Sequence, residues 1–291
     1  MARMQLNVNK FMTLLTKSIL PVFFFLLIVS DLSGQRLTSI QYGNNKEAGN
    51  FKKVNGIKLY YEIYGEGKPL IFLHGNGGSI AGAKDKIDEY KKYYKVIAID
   101  SRGHGKSSDT VSKELTYVQM ADDINVLLDS LKIDSAFISG QSDGGILGLL
   151  LAIHHPDKVA RLVTFGANIF PGNKAVFNEI NELITGTVKT SKDFYKKRLY
   201  NLMIYQPNIS EKELQKITCP VLLITGDRDA IRLEHSLKIF YNIKNSNLFV
   251  MPGATHFGSY EKLDLFNKVV SDFLNKPFSK ISTLEIMTGG H

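Results

Sequence analysis

Three side chains, far apart along the chain, are of the types that together carry out acyl transfer: Ser142, Asp229 and His256. Ser142 lies in Gly140-Gln141-Ser142-Asp143-Gly144, a G-x-S-x-G run between an apolar stretch and a helix-like one. A serine hydroxyl is a weak nucleophile until a base takes its proton, and histidine, with a free pKa of about 6.5, is the usual base. Of the seven histidines, His154 and His155 precede Pro156 at a helix end, where capping or surface roles suit them. His235 falls within a helix pattern, His104 in a glycine-rich loop, and His291 ends the chain. His256, in "MPGATHFG" between the last strand pattern and the final helix, is the expected base. An acid must hold that imidazole in one tautomer and stabilise its charge. "LLITGDRDAI" offers two. Asp229, further into the loop, is expected to reach the imidazole, and Asp227 to orient the loop by bonding backbone N–H groups.

Attack on a carbonyl also needs donors for the developing oxyanion. The backbone N–H of Asp143, at the start of the new helix, is one candidate. The second is the N–H of Asn76 in "FLHGNGG", where glycines let the backbone approach a substrate oxygen. His74 is expected to bond nearby backbone. Rival motifs fail: Ile80 replaces a glycine needed for dinucleotide binding, and Asp100 replaces the first glycine of a P-loop. No Cys or His cluster has metal-ligand spacing, so neither cofactor nor metal is expected.

These groups need a scaffold that brings distant loops to one edge. Short apolar runs, "PLIFLHG", "KVIAID", "SAFISG", "RLVTFGA" and "PVLLITGD", alternate with helical patterns. That alternation predicts an α/β fold with a mostly parallel sheet and helices on both faces. Asn55-Gly56 predicts a tight hairpin turn. The connection at about residues 169–218 is far longer than the usual 2–6 residues. Helical patterns at 174–185 and 192–204 within it predict an inserted helical lid. Phe170, Phe177, Phe194, Tyr195, Leu199, Tyr200, Leu202 and Tyr205 there are expected to seek burial.

The N-terminus reads as an export signal: Arg3, Lys10 and Lys17, then the apolar run "ILPVFFFLLIV" from Ile19 to Val29, then "SDLSGQ". The expected division is a signal peptide at 1–34, a linker at 35–50, a main domain at 51–277 and a tail at 278–291. A periplasmic or secreted location follows, the alternative being an uncleaved anchor, the one expected route to a membrane. Removing residues 1–34 takes the formal charge from +8 to +6. The bases are scattered among acids, with neither basic stripe nor stacking motif, so no nucleic-acid partner is expected. Cys219 is the only cysteine, which excludes an intrachain disulfide.

Five ordered blocks, "HGNGG", "DSRGHGKS", "GQSDGG", "GDRDA" and "GATHF", resemble the α/β-hydrolase superfamily over about residues 52–275. The resemblance implies Ser142 as nucleophile, Asp229 as acid, His256 as base, and the Asn76 and Asp143 amides as the oxyanion hole. It implies that Arg102 ties loops together beneath the site. "SDGG" followed by "FGAN" resembles the biphenyl-hydrolase-like branch, which includes amino-acid ester hydrolases. The expected activity is serine hydrolysis of a small carboxylic ester through an acyl-enzyme on Ser142. Asp143 stands either as a helix-start charge or as a partner for a substrate ammonium. Carbon–carbon bond hydrolysis and non-catalytic ligand binding are the alternatives.

Overall fold

The computed structural model describes residues 40–110 and 112–289; the expected signal segment at 1–34 lies outside them. Among the described residues the chain forms an eight-stranded sheet in the order β1-β2-β4-β3-β5-β6-β7-β8. Its strands are β1 Gly49–Val54, β2 Ile57–Tyr64, β3 Pro69–Leu73, β4 Lys95–Ile99, β5 Ala136–Gln141, β6 Val159–Phe165, β7 Val221–Gly226 and β8 Ser246–Met251. β1 pairs antiparallel with β2, and β2 with β4; every other pairing is parallel. Asn55 and Gly56, at φ 39° and 86°, make the hairpin turn between β1 and β2.

Helices α1 Lys84–Tyr90, α2 Tyr117–Ser130, α3 Asp143–His154, α7 Leu233–Asn242, α8 Gly258–Glu261 and α9 Leu263–Asn275 connect or follow the strands. The period-2 alternation of side chains splits the core between the two sheet faces. Ile71, Leu73 and Ile138 pack with Met120, Ile124 and Leu151 from α2 and α3. Leu70, Phe72 and Phe137 pack on the opposite face with Ile87, Tyr90, Phe266 and Val270 from α1 and α9. α3 is apolar nearly all round and buried from Asp143 to Ile153. Such a helix is legible only as the central covering element of a two-sided sheet.

Helices α4 Asn178–Thr190, α5 Phe194–Tyr205 and the short α6 Glu211–Leu214 lie within the long β6–β7 connection. α4 starts later than its sequence pattern because residues 173–177 are tied to the loop after β7: Val176 bridges Ile231, and the Arg232 N–H donates to Ala175 O at 2.8 Å. The expected burial of the insert's apolar side chains holds in part: Phe170 and Leu199 pack, half-buried, against the core. Leu202 is buried, but Phe177, Phe194, Tyr195 and Tyr205 are 40–67% exposed. The two helices pack chiefly on each other, and Phe194 and Tyr195 lie edge to face at 5.7 Å on the outside.

Two expected boundaries also shift. Part of the expected linker is docked: Tyr42 is buried, and Gly43 and Asn45 donate backbone N–H groups to the Glu62 carboxylate at 2.8 and 2.9 Å. The tail carries an exposed helix, α10 Thr283–Met287, started by a Ser282–Glu285 capping box. Among the described residues no helix is long and apolar enough to cross a membrane.

Candidate active site

Ser142 stands where β5 gives way to α3, at φ 51° and ψ −115°. A non-glycine residue rarely adopts that backbone, and it costs roughly 1–3 kcal/mol. The flanking glycines make the bend possible. A Cβ on Gly140 would lie 2.2 Å from Gly144 O, and one on Gly144 would lie 2.2 Å from Leu73 O. The turn therefore aims the Ser142 side chain off the C-terminal end of the sheet, at the first turn of α3 with its positive dipole end.

The loops after β7 and β8 complete a hydrogen-bonded line. Ser142 Oγ lies 2.9 Å from His256 Nε2, and His256 Nδ1 lies 2.6 Å from Asp229 Oδ1. An ionised carboxylate only accepts, so Nδ1 carries the ring proton and Nε2 is left to accept from the serine. Asp229 is 4% exposed. Burial pushes its carboxyl up, but the His256 bond and charge, with the backbone N–H groups of Ile231 and Gly226, outweigh burial and hold it below the ordinary range. Asp227 is exposed. The loop-orienting role expected of it belongs to Asp229 as well, whose Oδ1 accepts from Ile231 N–H at 3.0 Å and Oδ2 from Gly226 N–H at 3.3 Å.

Room for the imidazole comes from Gly166, a residue that sequence reasoning missed. It follows β6 at φ +63°, and a Cβ there would lie 2.7 Å from His256 Cε1. The only sequence signal was a glycine closing a strand pattern, one of 24 glycines in the chain.

The loop after β3 adjoins the serine: a Cβ on Gly75 would lie 3.2 Å from Ser142 Cβ. Among the described residues neither the Asn76 nor the Asp143 backbone N–H donates to an acceptor, which leaves both available to an oxyanion. The Asn76 side chain donates to Asp143 Oδ2 at 2.9 Å and to Leu199 O of α5 at 3.0 Å. Asp143 is 3% exposed. Burial pushes its carboxyl up, against the opposing pull of the Asn76 amide and the Tyr117 hydroxyl.

Beneath this layer His74 accepts from Ser101 N–H at 3.1 Å through Nε2 and donates to Gly75 O at 2.8 Å through Nδ1. Burial pushes its pKa down to about 4, so it is neutral at pH 7. Arg102 is fully buried and clamps Asp123 at 2.6 and 2.8 Å and Asn55 O at 3.0 Å. Asp109 receives Arg198 of α5 at 3.0 Å and Arg102 at 3.4 Å, so one buried network joins the hairpin, α2 and the insert. Among the described residues no group of three His, Cys, Asp or Glu side chains could hold a metal ion.

Every one of these loops leaves the C-terminal end of a parallel strand, where open α/β sheets place their ligands. Residues 68–197 match the family model of the alpha/beta hydrolase fold. That match, with the site it spans, indicates the alpha/beta hydrolase superfamily. This hydrolase is 28% identical to human serine hydrolase BPHL over 246 residues, 76% of this chain and 84% of that one. It is 24% identical to the 2-hydroxy-6-oxo-6-phenylhexa-2,4-dienoate hydrolase of Comamonas testosteroni, covering 82% of this chain and all of that one. The crystal structure of the enol-lactonase from Burkholderia xenovorans LB400 superimposes on the hydrolase with a TM-score of 0.69 at 22% identity, over 78% of this chain and all of the other. This chain's relatives are named serine hydrolases, esterases and hydrolases, which supports a hydrolytic enzyme.

Proposed function

We propose that the protein hydrolyses small carboxylic esters through an acyl-enzyme on Ser142. The observation that carries this reading is the line from Ser142 Oγ through His256 to Asp229, with contacts of 2.9 and 2.6 Å. In this mechanism His256 Nε2 takes the serine proton as Oγ attacks the carbonyl carbon. The Asn76 and Asp143 N–H groups stabilise the oxyanion. Collapse expels the alcohol, protonated by the imidazolium. Water, deprotonated by the same nitrogen, then releases the acid and restores Ser142. Asp229 keeps Nδ1 protonated throughout and stabilises the imidazolium.

Two finer readings stay within this chemistry. The Asp143 carboxylate would favour α-amino-acid esters if it met a substrate ammonium, but its bond to Asn76 favours a buttress for the oxyanion loop. Hydrolysis of a carbon–carbon bond in a diketone uses the same nucleophile and base; the Comamonas relative, matched over its whole length, is named a hydrolase of a hydroxy-oxo-dienoate, a substrate that is not a simple ester. The insert is read as a lid because α5 touches Asn76. Export rests on the charged and apolar N-terminal pattern, and N-terminal sequencing of the mature chain tests it.

The functional test is labelling by a fluorophosphonate probe together with turnover of p-nitrophenyl esters and a diketone. Wild type is expected to label and to release p-nitrophenol steadily, and Ser142→Ala to do neither. A single stoichiometric burst from wild type would indicate a binding protein on this scaffold. Labelling of Ser142→Ala would overturn the assignment of the nucleophile.

A further inference from the structure

Gln141 immediately precedes Ser142 and is the last residue of β5. Its side-chain amide crosses to the base-bearing loop. Nε2 donates to the backbone carbonyl of His256 at 2.9 Å, and Oε1 accepts from Ser259 Oγ at 2.7 Å. A carbonyl oxygen can only accept, which sets the orientation of the amide.

Ser259 is fully buried in α8, whose first residue, Gly258, lies two positions beyond His256. Its carbonyl accepts from Lys86 Nζ, which reaches across from α1. Lys86 is 2% exposed, and its ammonium sits 3.5 Å above the Phe266 ring centroid and 5.2 Å from that of Tyr260. No carboxylate pairs with it among the described residues. Burial pushes the pKa of this amine down to about 7. Burying an ammonium costs free energy unless hydrogen bonds and charge partners offset it. An apolar side chain of similar length would fill the slot without that cost but could not hold the Ser259 carbonyl.

We propose that Gln141 is a positioning residue for the reaction: with Ser259 and Lys86 it forms a buried hydrogen-bonded chain that sets the imidazole of His256 against the Ser142 hydroxyl. The backbone of Gln141 is continuous with the nucleophile, while its side chain grips the main chain of the base, so one residue gauges the spacing between them. Ser259 keeps the amide from rotating away, and Lys86 keeps α8, and with it Ser259, against the sheet. A misplacement of about 1 Å costs on the order of 10²-fold in rate. The chain therefore acts on kcat and leaves the substrate pocket alone.

The inference rests on the serine-hydrolase reading, and wild-type labelling and turnover report on that reading separately. Gln141→Met keeps the volume and removes both hydrogen bonds; Ser259→Ala removes one hydroxyl. Each is assayed as the full chain for kcat, KM and the rate of fluorophosphonate labelling, beside the double variant. Gln141→Met is expected to lower kcat and labelling rate together by about 10- to 100-fold with KM within about twofold. The double variant is expected to lose no more than Gln141→Met alone, because both changes cut one chain. Ser259→Ala, the smaller change, carries the test if Gln141→Met does not fold, and is expected to lower kcat at unchanged KM. Wild-type-like kcat in both single variants, or losses that multiply in the double variant, would overturn the inference.

Discussion

Asn76 and Asp143 are joined side chain to side chain at 2.9 Å, with Nδ2 donating to Oδ2 across 67 positions of sequence. The bond links the two residues whose backbone N–H groups are proposed to hold the oxyanion, and the same Asn76 amide reaches Leu199 O on α5 at 3.0 Å. Asp143→Ala removes the acceptor and frees the Asn76 loop. Turnover is expected to fall by up to about 10²-fold, the scale of one oxyanion donor. Asp143→Asn keeps an acceptor oxygen and is expected to retain most activity. Both variants should act equally on an α-amino-acid ester and its deaminated analogue. A loss confined to the amino ester would assign Asp143 to ammonium recognition.

Asp229 is the buried partner of the imidazole, and Asp227, two residues earlier, faces solvent. Asp229→Asn leaves the Nδ1 proton without its anionic acceptor and favours the wrong tautomer. Its kcat is expected to drop by about 10⁴-fold. Asp227→Asn should stay within about twofold, as an exposed side chain with no bond to the ring. Parallel kcat measurements on one p-nitrophenyl ester check the pair, and equal effects would mean the acid has been misassigned.

Gly166→Ala places a methyl 2.7 Å from His256 Cε1 at a backbone φ of +63°. The ring must move or the turn must open. The expected result is a loss of kcat on the order of 10²-fold at nearly unchanged KM, with a lowered Tm. A variant with full turnover would show that the loop takes up the methyl without moving the base.

His235 is 2% exposed, its Nε2 accepts from Ile169 N–H at 3.0 Å, and burial pushes its pKa down to about 4. The neutral ring is the native form. Its contribution is complete above about pH 6.5 and is lost as pH falls from there towards about 4, because only the unfolded chain takes up the proton. His235→Gln keeps an acceptor but does not titrate. Wild-type unfolding free energy should therefore fall faster than the variant's, by up to about 1.4 kcal/mol per pH unit in that window. Urea titrations at pH 7.5, 6.0 and 5.0 measure the difference. Parallel pH dependences would place the native pKa near that of free histidine.

Much of the site was legible because its groups sit at fixed offsets from regular elements. Gly140 and Gly144 flag a bend that tolerates no Cβ, and the patterns on either side make it a strand-to-helix turn. Asn76, Asp229 and His256 each follow an apolar run that reads as a strand, so each lies at the same sheet edge. Gly166 and Gln141 were missed for one reason: their roles are contacts with the loop carrying His256, 90 and 115 positions away. Nothing local marks a glycine that makes room for a ring or an amide that grips a distant carbonyl. The insert's exposed aromatics misled because apolar character alone does not say whether a neighbouring element exists to cover it.

The amino-acid sequence by itself determined the alternation of strands and helices, the strained turn at Ser142 and the candidate triad, because periodicity and turn chemistry act over a few residues. Only the tertiary structure decided that Asp229 rather than Asp227 meets the imidazole, that the Asp143 carboxylate is held by Asn76, and that a buried lysine stands behind the base. Those outcomes depend on which loops meet above the parallel strands, and that is set by the strand order and twist of the whole sheet.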